Sequence, residues 1–103
     1  MYIGKVVGTV VSTSKDVRLI GSKLLLIVPL SFHSGRADYP LVAVDSVGAG
    51  VGETVLYVKG STASRSAAKD SPVDCAIVGI IDDLEVDEQL LQTENLRIIS
   101  GEV

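Results

Sequence analysis

The chain contains 103 residues, enough for one compact core and too few for a second. Its composition is 47% hydrophobic, and its mean hydropathy of +0.42 is high for a small domain with water on all sides. The longest apolar run, Leu24–Val28, stops at Pro29 and is far shorter than the roughly 20 residues of a membrane-spanning helix. We therefore expect no membrane association, and the surplus apolar surface favours burial between protein chains.

The charge of the chain excludes a further class of partner. A net charge of −4 and an isoelectric point near 4.7 argue against nucleic acid, since phosphate neutralisation requires clustered Lys and Arg. The single cysteine permits no disulfide within the chain, which is typical of the reducing cytoplasm. The first residues, Met1–Lys5, lack the basic and apolar regions of a signal peptide. These features predict a cytoplasmic protein.

Valine and isoleucine make up half of the apolar residues, whereas tryptophan is absent and phenylalanine occurs once. β-Branched side chains fit a pleated sheet and lose rotamer freedom in a helix, so the composition predicts a β protein. Residues 2–13 form the first predicted strand, in which Gly4 and Gly8 are expected to share a face and to mark the sharp coiling of a small barrel. Apolar residues occupy both faces of this strand: Val6, Val7, Val10 and Val11. We expect the barrel interior to cover one face and a neighbouring subunit to cover the other.

Four more strands follow in chain order. They are predicted over Lys23–Leu30, Leu41–Asp45, Glu53–Lys59 and Cys75–Ile81. Residues 14–22 and 31–39 are predicted to be polar connections, and residues 60–71 one or two helical turns that end at Pro72. The predicted fold is mainly β: a small five-stranded OB-like β-barrel with one short helix between its fourth and fifth strands.

The character of the chain changes after Asp82, where acidic residues cluster ahead of Leu90 and Leu91. This segment is expected to be a C-terminal hairpin or an arm that reaches onto a partner. The barrel domain is accordingly assigned to residues 1–91, and residues 92–103 are assigned to a tail with a candidate docking place on the barrel or on a neighbour.

Residues 48–52, Gly-Ala-Gly-Val-Gly, form a turn that invites comparison with phosphate-binding loops. A dinucleotide-binding fingerprint spaces its glycines differently and leads into a helix, and a P-loop requires Lys followed by Ser or Thr. Here a predicted strand, Thr54–Val58, follows the turn, and no such lysine is present. The turn is therefore interpreted as structural.

No set of residues predicts catalysis or metal binding, and no cofactor is expected. Cys75 is followed by the apolar residues Ala76–Val78, which raise the pKa of a thiol and leave it inert. His33 is the only histidine, so a zinc site lacks ligands. The acidic residues within 83–87 do not match the spacing of a calcium-binding loop, and a charged sheet edge is the better interpretation.

Several segments together resemble the ethanolamine-utilisation N / carboxysome L (EutN/CcmL) family of bacterial microcompartment vertex proteins. In chain order they are Gly4–Thr13, Gly21–Leu26, Val42–Glu53, Val55–Leu56, Gly60–Ala63, Pro72–Asp74 and Val78–Asp82. Each segment alone is weak evidence, whereas their ordered combination over most of the chain is specific.

The resemblance implies a structural, non-enzymatic shell subunit that forms a homopentamer. In such shells the walls are tiled by hexameric shell proteins, and five-fold units at the vertices close the polyhedron. Hexameric microcompartment shell proteins are therefore the expected partners, and the shell, inside the cytoplasm, is the expected location. A closed ring of this kind has heterologous contacts, which would also bury the surplus apolar surface.

Residues expected at subunit contacts or around an axial pore lie in the glycine turn and in the polar segment that follows the fourth strand. They are Gly48, Ala49, Gly50, Gly52, Gly60, Ser61, Thr62 and Arg65. Gly48 and Gly50 are expected to supply backbone angles or close approaches that a Cβ forbids. The family pattern places its arginine one position earlier than Arg65, so the resemblance carries no role over to that residue.

Two other classes of function stay open. An OB-like barrel can bind single-stranded nucleic acid or a small ligand, but that role calls for a basic groove and stacking aromatics, whereas only 4% of this chain is aromatic. A small hydrolase or transferase could use Asp45, Asp74 or Asp82 as acid–base groups if folding brings two of them together in a pocket.

Overall fold

The computed structural model describes residues 1–13, 15–30, 39–61, 63 and 72–91. Five strands make up most of this part of the chain: β1 (Tyr2–Val10), β2 (Lys23–Pro29), β3 (Leu41–Asp45), β4 (Thr54–Lys59) and β5 (Cys75–Ile81). A 3-10 turn, Val17–Leu19, lies between β1 and β2, and a helical turn, α1 (Glu88–Leu91), follows β5. The predicted strands are confirmed, with β1 three residues shorter than expected and β2 and β4 each one residue shorter.

The strands close into a barrel in the order β1-β2-β3-β5-β4, with β4 paired back to β1. Neighbouring strands are antiparallel except for β3 and β5, which are parallel through Val44↔Ala76 and Asp45↔Ile77. This is the arrangement of a small OB-like Greek-key barrel. The predicted fold class is therefore confirmed.

Alternate residues of the strands point into the barrel and form its core. The buried members are Val6, Leu25, Ile27, Ala43, Val55, Tyr57, Cys75 and Ile77, and Ala49 joins them from the connection between β3 and β4. Leu25 and Ile27 have no solvent exposure, and Tyr57 is the largest of the fully buried side chains. A period of two along β2 and β4 produces this core, as expected for strands with one face inward.

A second apolar cluster lies outside the barrel and consists of Val44, Val58, Ala63, Val73 and Ala76. Leu24 and Val78 are partly buried against it. Since Ala63 and Val73 come from the connection between β4 and β5, this connection covers part of the outer face of the sheet. Of the short helix predicted over 60–71, Gly60 forms a turn and Ser61 and Ala63 are helical, whereas the remainder lies outside the described residues.

A β-bulge in β1 corrects one expectation. The pairing of β1 with β2 shifts between Val6 and Gly8, so that residues on either side of the bulge alternate in opposite phase. A Cβ on Gly4 would lie 3.0 Å from Tyr57 Cε1, whereas one on Gly8 would lie 3.9 Å from Leu26 Cβ. Tyr57 belongs to the core and Leu26 does not, so the two glycines face different sides of the sheet. The prediction that they share a face is wrong because period-two counting fails across the bulge.

The segment after β5 contains no further strand as far as residue 91, the last residue that is described. Within residues 82–87, acidic side chains are exposed and Leu84 and Val86 are half-buried, and the segment then enters α1. The Asp87 carboxylate accepts hydrogen bonds from the backbone N–H groups of Gln89 and Leu90 at 3.0 and 3.2 Å, which caps α1. A hairpin is therefore not formed before residue 92, and residues 92–103 lie outside the described part. None of the described helices has the length and apolar character needed to cross a bilayer.

Candidate functional site

The connection between β3 and β4, residues 46–53, is the most densely hydrogen-bonded loop of the described chain and is called the glycine loop below. Its first anchor is Asp45, the last residue of β3, which is 7% exposed. The Asp45 carboxylate accepts hydrogen bonds from three successive backbone N–H groups, those of Val47 (3.2 Å), Gly48 (3.2 Å) and Ala49 (3.0 Å). A buried carboxylate is stable only when its oxygens are satisfied in this way.

Lys23 completes this anchor from the neighbouring strand. It is the cross-strand partner of Asp45, and its Nζ lies 3.3 Å from Asp45 Oδ2. The same ammonium donates a hydrogen bond to the carbonyl oxygen of Ala49. The lysine therefore neutralises the buried carboxylate and also fixes the middle of the loop.

Glu53 anchors the far end of the glycine loop. Its Oε1 accepts a hydrogen bond of 2.7 Å from the N–H of Gly50, and its own N–H donates to the Gly50 carbonyl at 3.1 Å. Two more backbone bonds tie this end to β1: the Gly52 N–H donates to the Val6 carbonyl (2.8 Å), and the Val6 N–H donates to the Glu53 carbonyl (2.9 Å). The loop is thus held at its start, its middle and its end.

The glycines of the loop have different roles. Gly48 and Gly52 have φ of +84° and +94°, in the region that side chains rarely adopt. Gly50 does not have a positive φ, and a Cβ there would meet Glu53 Oε1 at an ordinary contact distance of 3.6 Å. Within the single chain, Gly48 has the special backbone angle that was expected, whereas Gly50 has neither such an angle nor a close approach. A close approach of Gly50 to a neighbouring subunit stays a prediction. Gly52 is the second position that needs glycine, because the turn into β4 passes through it.

The side chains of the loop divide between core and surface. Ala49 is fully buried in the barrel core, whereas Val47 and Val51 are 40% and 61% exposed. Residues 46–52 carry no charged side chain. Apart from Glu53, whose carboxylate accepts a hydrogen bond from the Gly50 N–H, the loop carries no charge and exposes apolar side chains. Apolar, charge-poor surface is typical of the central part of a protein interface.

The second group of predicted residues lies at the other end of β4. Gly60 has φ of +76°; its N–H donates to the Asp74 carbonyl at 2.8 Å, and its carbonyl accepts from the Ala63 N–H at 3.0 Å. Ser61 is exposed, and Thr62 and Arg65 lie outside the described residues. Because the six residues of β4 rise about 3.3 Å each, the Gly60 turn and the glycine loop are separated by about 20 Å. The structure therefore does not bring the two predicted groups together within one chain.

The remaining candidates for chemistry do not form a site. Asp45 is occupied by the loop contacts, and Asp74 and Asp82 are exposed. Among the described residues, Asp74 is the only acidic one that lines a groove of about 220 Å³, and no group of three or more metal-binding side chains occurs in the same part of the chain. Burial raises the pKa of Cys75 to about 11, with a smaller contribution from the charge of Asp74. His33 lies outside the described part of the chain.

Sequence reasoning missed Lys23 and Glu53 as parts of this site. An Asp directly before a glycine-rich turn is itself a signal, because its side chain commonly bonds to the backbone two to four residues on. The register that places Lys23 opposite Asp45 is a long-range property of the sheet, which the local pattern does not contain.

Comparison with known proteins agrees with this structure. The family described as "Ethanolamine utilisation protein EutN/carboxysome" matches residues 1–82. The bacterial microcompartment shell vertex protein GrpN of Rhodospirillum rubrum is 50% identical over 86 residues, which cover 82% of this chain and 97% of that protein. The solved structure of GrpN, described as a pentameric microcompartment shell protein, has a TM-score of 0.71 at 46% identity and covers 84% of this chain and 100% of GrpN. The CcmL structure from Nostoc sp. has a TM-score of 0.74 at 46% identity and covers 82% and 92% of the two chains.

The fold and the site define a small β-barrel with a structural role, in which the most elaborate polar network holds a loop in place. The chain belongs to the EutN/CcmL family of microcompartment shell vertex proteins. It is a structural shell protein of a compartment in the cytoplasm and is not an enzyme, as the family assignment establishes.

Proposed function

We propose that this chain assembles as a homopentamer that occupies the vertices of a bacterial microcompartment shell. The observation that carries the proposal is the pentameric relative, which is 46% identical and matches 84% of this chain with a TM-score of 0.71.

The exposed surface of the single chain supports an assembled state. Many large apolar side chains are exposed to solvent in the single chain: Met1, Tyr2, Val7, Val11, Val17, Ile20, Tyr39, Val42, Val47, Val51 and Leu90. Burial of apolar surface stabilises an assembly by about 25 cal/mol per Å². In a ring each copy contacts two neighbours, and such side chains can be buried at both interfaces.

The geometric role follows from symmetry. A flat layer of six-fold units closes into a polyhedron only when five-fold units are inserted, so a pentamer supplies curvature and seals the corners. The partners in this proposal are hexameric microcompartment shell proteins, with no nucleic-acid partner. The net charge of −4 supports the last point, because a nucleic-acid surface requires excess cations.

The glycine loop and the Gly60 turn are proposed to contribute to the ring at two separate places. Gly48, Ala49, Gly50 and Gly52 belong to the first place. Gly60, Ser61, Thr62 and Arg65 belong to the second. Subunit contacts in a closed ring are heterologous, so two regions at opposite ends of one strand can face different neighbours or the axis.

The test of the proposal is the solution mass of the purified chain at micromolar concentration, by light scattering or native mass spectrometry. A mass of five chains is expected. A stable monomer or an isologous dimer would contradict the pentamer.

The vertex role needs a second experiment. Co-expression with hexameric shell proteins of the same microcompartment is expected to yield closed polyhedra, whereas the hexamers alone are expected to form sheets or tubes. Closed shells that form equally well without this chain would contradict the role at the vertices.

A further inference from the structure

The bulge in β1 creates an unusual exposed residue. Val7 has no register partner on β2, because the pairing passes from Val6↔Ile27 to Gly8↔Leu26. A bulged residue leaves the regular alternation of the strand, and bulges commonly re-aim a side chain. Val7 is 48% exposed although it lies in the middle of a strand.

The glycine loop is attached to the chain at this bulge. The carbonyl and the N–H of Val6, the residue before Val7, bond to Gly52 and Glu53 at 2.8 and 2.9 Å. Val51 precedes Gly52 and is 61% exposed. Val7 follows Val6 and Val51 precedes Gly52, so the backbone hydrogen bond between Val6 and Gly52 joins the neighbours of the two valines. This bond fixes the backbone positions of Val7 and Val51 relative to each other. Val47, which is 40% exposed, belongs to the same anchored loop through the bond of its N–H to Asp45. The three valines are called the bulge–loop patch.

Several features that are unfavourable on their own fix the backbone conformation of this patch. Asp45 is a buried carboxylate, and Gly48 and Gly52 are in left-handed conformations. Burial of Ala49 explains why the loop closes over the barrel. It does not explain why the large exposed side chains of the loop are valines, or why residues 46–52 contain no charged side chain. Apolar, charge-poor and pre-ordered surface is what a protein interface requires, since little side-chain freedom is lost on binding.

We propose that the bulge–loop patch, formed by Val7, Val47 and Val51, is one half of the contact between neighbouring copies of this chain. This inference rests on the pentamer proposed above. The solved pentameric relative supports a second copy as the occupant, and the absence of charged side chains from residues 46–52 disfavours a partner that is recognised through charge. Because ring contacts are heterologous, the patch lies against a different surface of the neighbour.

The test compares V51D with V17D. Val51 lies in a turn, where Asp is well tolerated, so the barrel is expected to fold and to keep its far-UV circular dichroism spectrum. Val17 is 74% exposed and lies outside the patch, which makes the same substitution there a matched control. V51D is expected to be monomeric at micromolar concentration, and V17D is expected to stay pentameric. V7D, made at the bulge, is expected to behave as V51D does.

A milder variant measures the contact without adding a charge. V51A removes two methyl groups and is expected to weaken each interface about tenfold, which raises the concentration at which the ring dissociates. Native mass spectrometry over a dilution series would follow this shift.

Three results would overturn the inference. One is a V51D protein as pentameric as the parent; another is dissociation of V17D together with V51D, since the sensitivity would then not belong to the patch. The third is a pentameric V51D that no longer enters shells with hexameric proteins, which would assign the patch to the hexamers. A parent protein that is itself monomeric would instead contradict the proposed function, so the two failures are distinguishable.

Discussion

Lys23 and Asp45 are direct cross-strand partners, and the lysine Nζ lies 3.3 Å from the carboxylate while it also donates to the Ala49 carbonyl. The two residues are unequal: the Asp45 side chain is 1% exposed and that of Lys23 is 48% exposed. The aspartate is thus the buried centre of the network, and the lysine reaches it from the solvent side.

Because the two side chains differ in burial, their removal is expected to lower the free energy of unfolding by different amounts. D45A leaves three backbone N–H groups without their acceptor and the Lys23 ammonium without its counter-ion, and it is expected to lower the free energy of unfolding by about 3–5 kcal/mol. K23A leaves the three backbone bonds in place and is expected to cost about 1 kcal/mol, because the lysine is half exposed. Urea unfolding at equal protein concentration measures both values. Equal costs would show that the carboxylate depends mainly on the lysine.

Gly4 and Gly8 form a second pair for comparison. A Cβ at Gly4 would lie 3.0 Å from Tyr57 Cε1 and 3.1 Å from the Val28 carbonyl oxygen, whereas the nearest atom to a Cβ at Gly8 is 3.9 Å away. G4A is therefore expected to destabilise the barrel by about 1–3 kcal/mol through overpacking, and G8A is expected to be nearly neutral. Thermal unfolding of the two variants tests this, and a neutral G4A would mean that the Tyr57 ring can move aside.

Two glycines of the glycine loop are expected to be needed for different reasons: Gly48 for its backbone conformation and Gly50 for contact with a neighbouring subunit. Gly48 has φ of +84°, and a Cβ there would have no atom within 4 Å, so G48A is expected to cost about 1 kcal/mol from backbone strain alone. G50A is expected to leave the stability of the single chain almost unchanged, since Gly50 has room for a Cβ. G50V is expected to fold and yet to abolish ring assembly. A G50V protein that still runs as a normal pentamer would remove this position from the subunit contacts.

Cys75 predicts a dependence of stability on high pH. Burial raises the pKa of its thiol from 9.0 to about 11, so the folded state holds the proton more firmly than the unfolded state. The resulting stabilisation is complete below pH 9 and is lost as the pH rises from 9 to 11. The loss in free energy of unfolding over this range is expected to be smaller in C75A, which has no thiol to titrate. The same decline in both proteins would assign the effect to other groups.

Much of the fold could be predicted from the sequence. β-Branched runs between glycines and prolines located all five strands, and β3 and β5 were correct to the residue because Pro40 and Asp74 flank runs with clear boundaries. The bulge at Val7 could not be predicted, because Val6 and Val7 are both apolar and the sequence does not show which of them faces the core. The site was predicted in part: the glycine loop was identified, but Lys23 and Glu53 act through sheet register and a side-chain turn that no local pattern specifies.

Every strand of the barrel is already paired on both sides. Among the described residues no strand therefore lies at a free edge of the sheet. Contacts between copies in the proposed ring are expected to form from the side chains and loops of barrels that are already folded. The proposed ring is consequently expected to open and reclose without unfolding of a subunit. A lone copy, for the same reason, offers a poor template for fibrous growth.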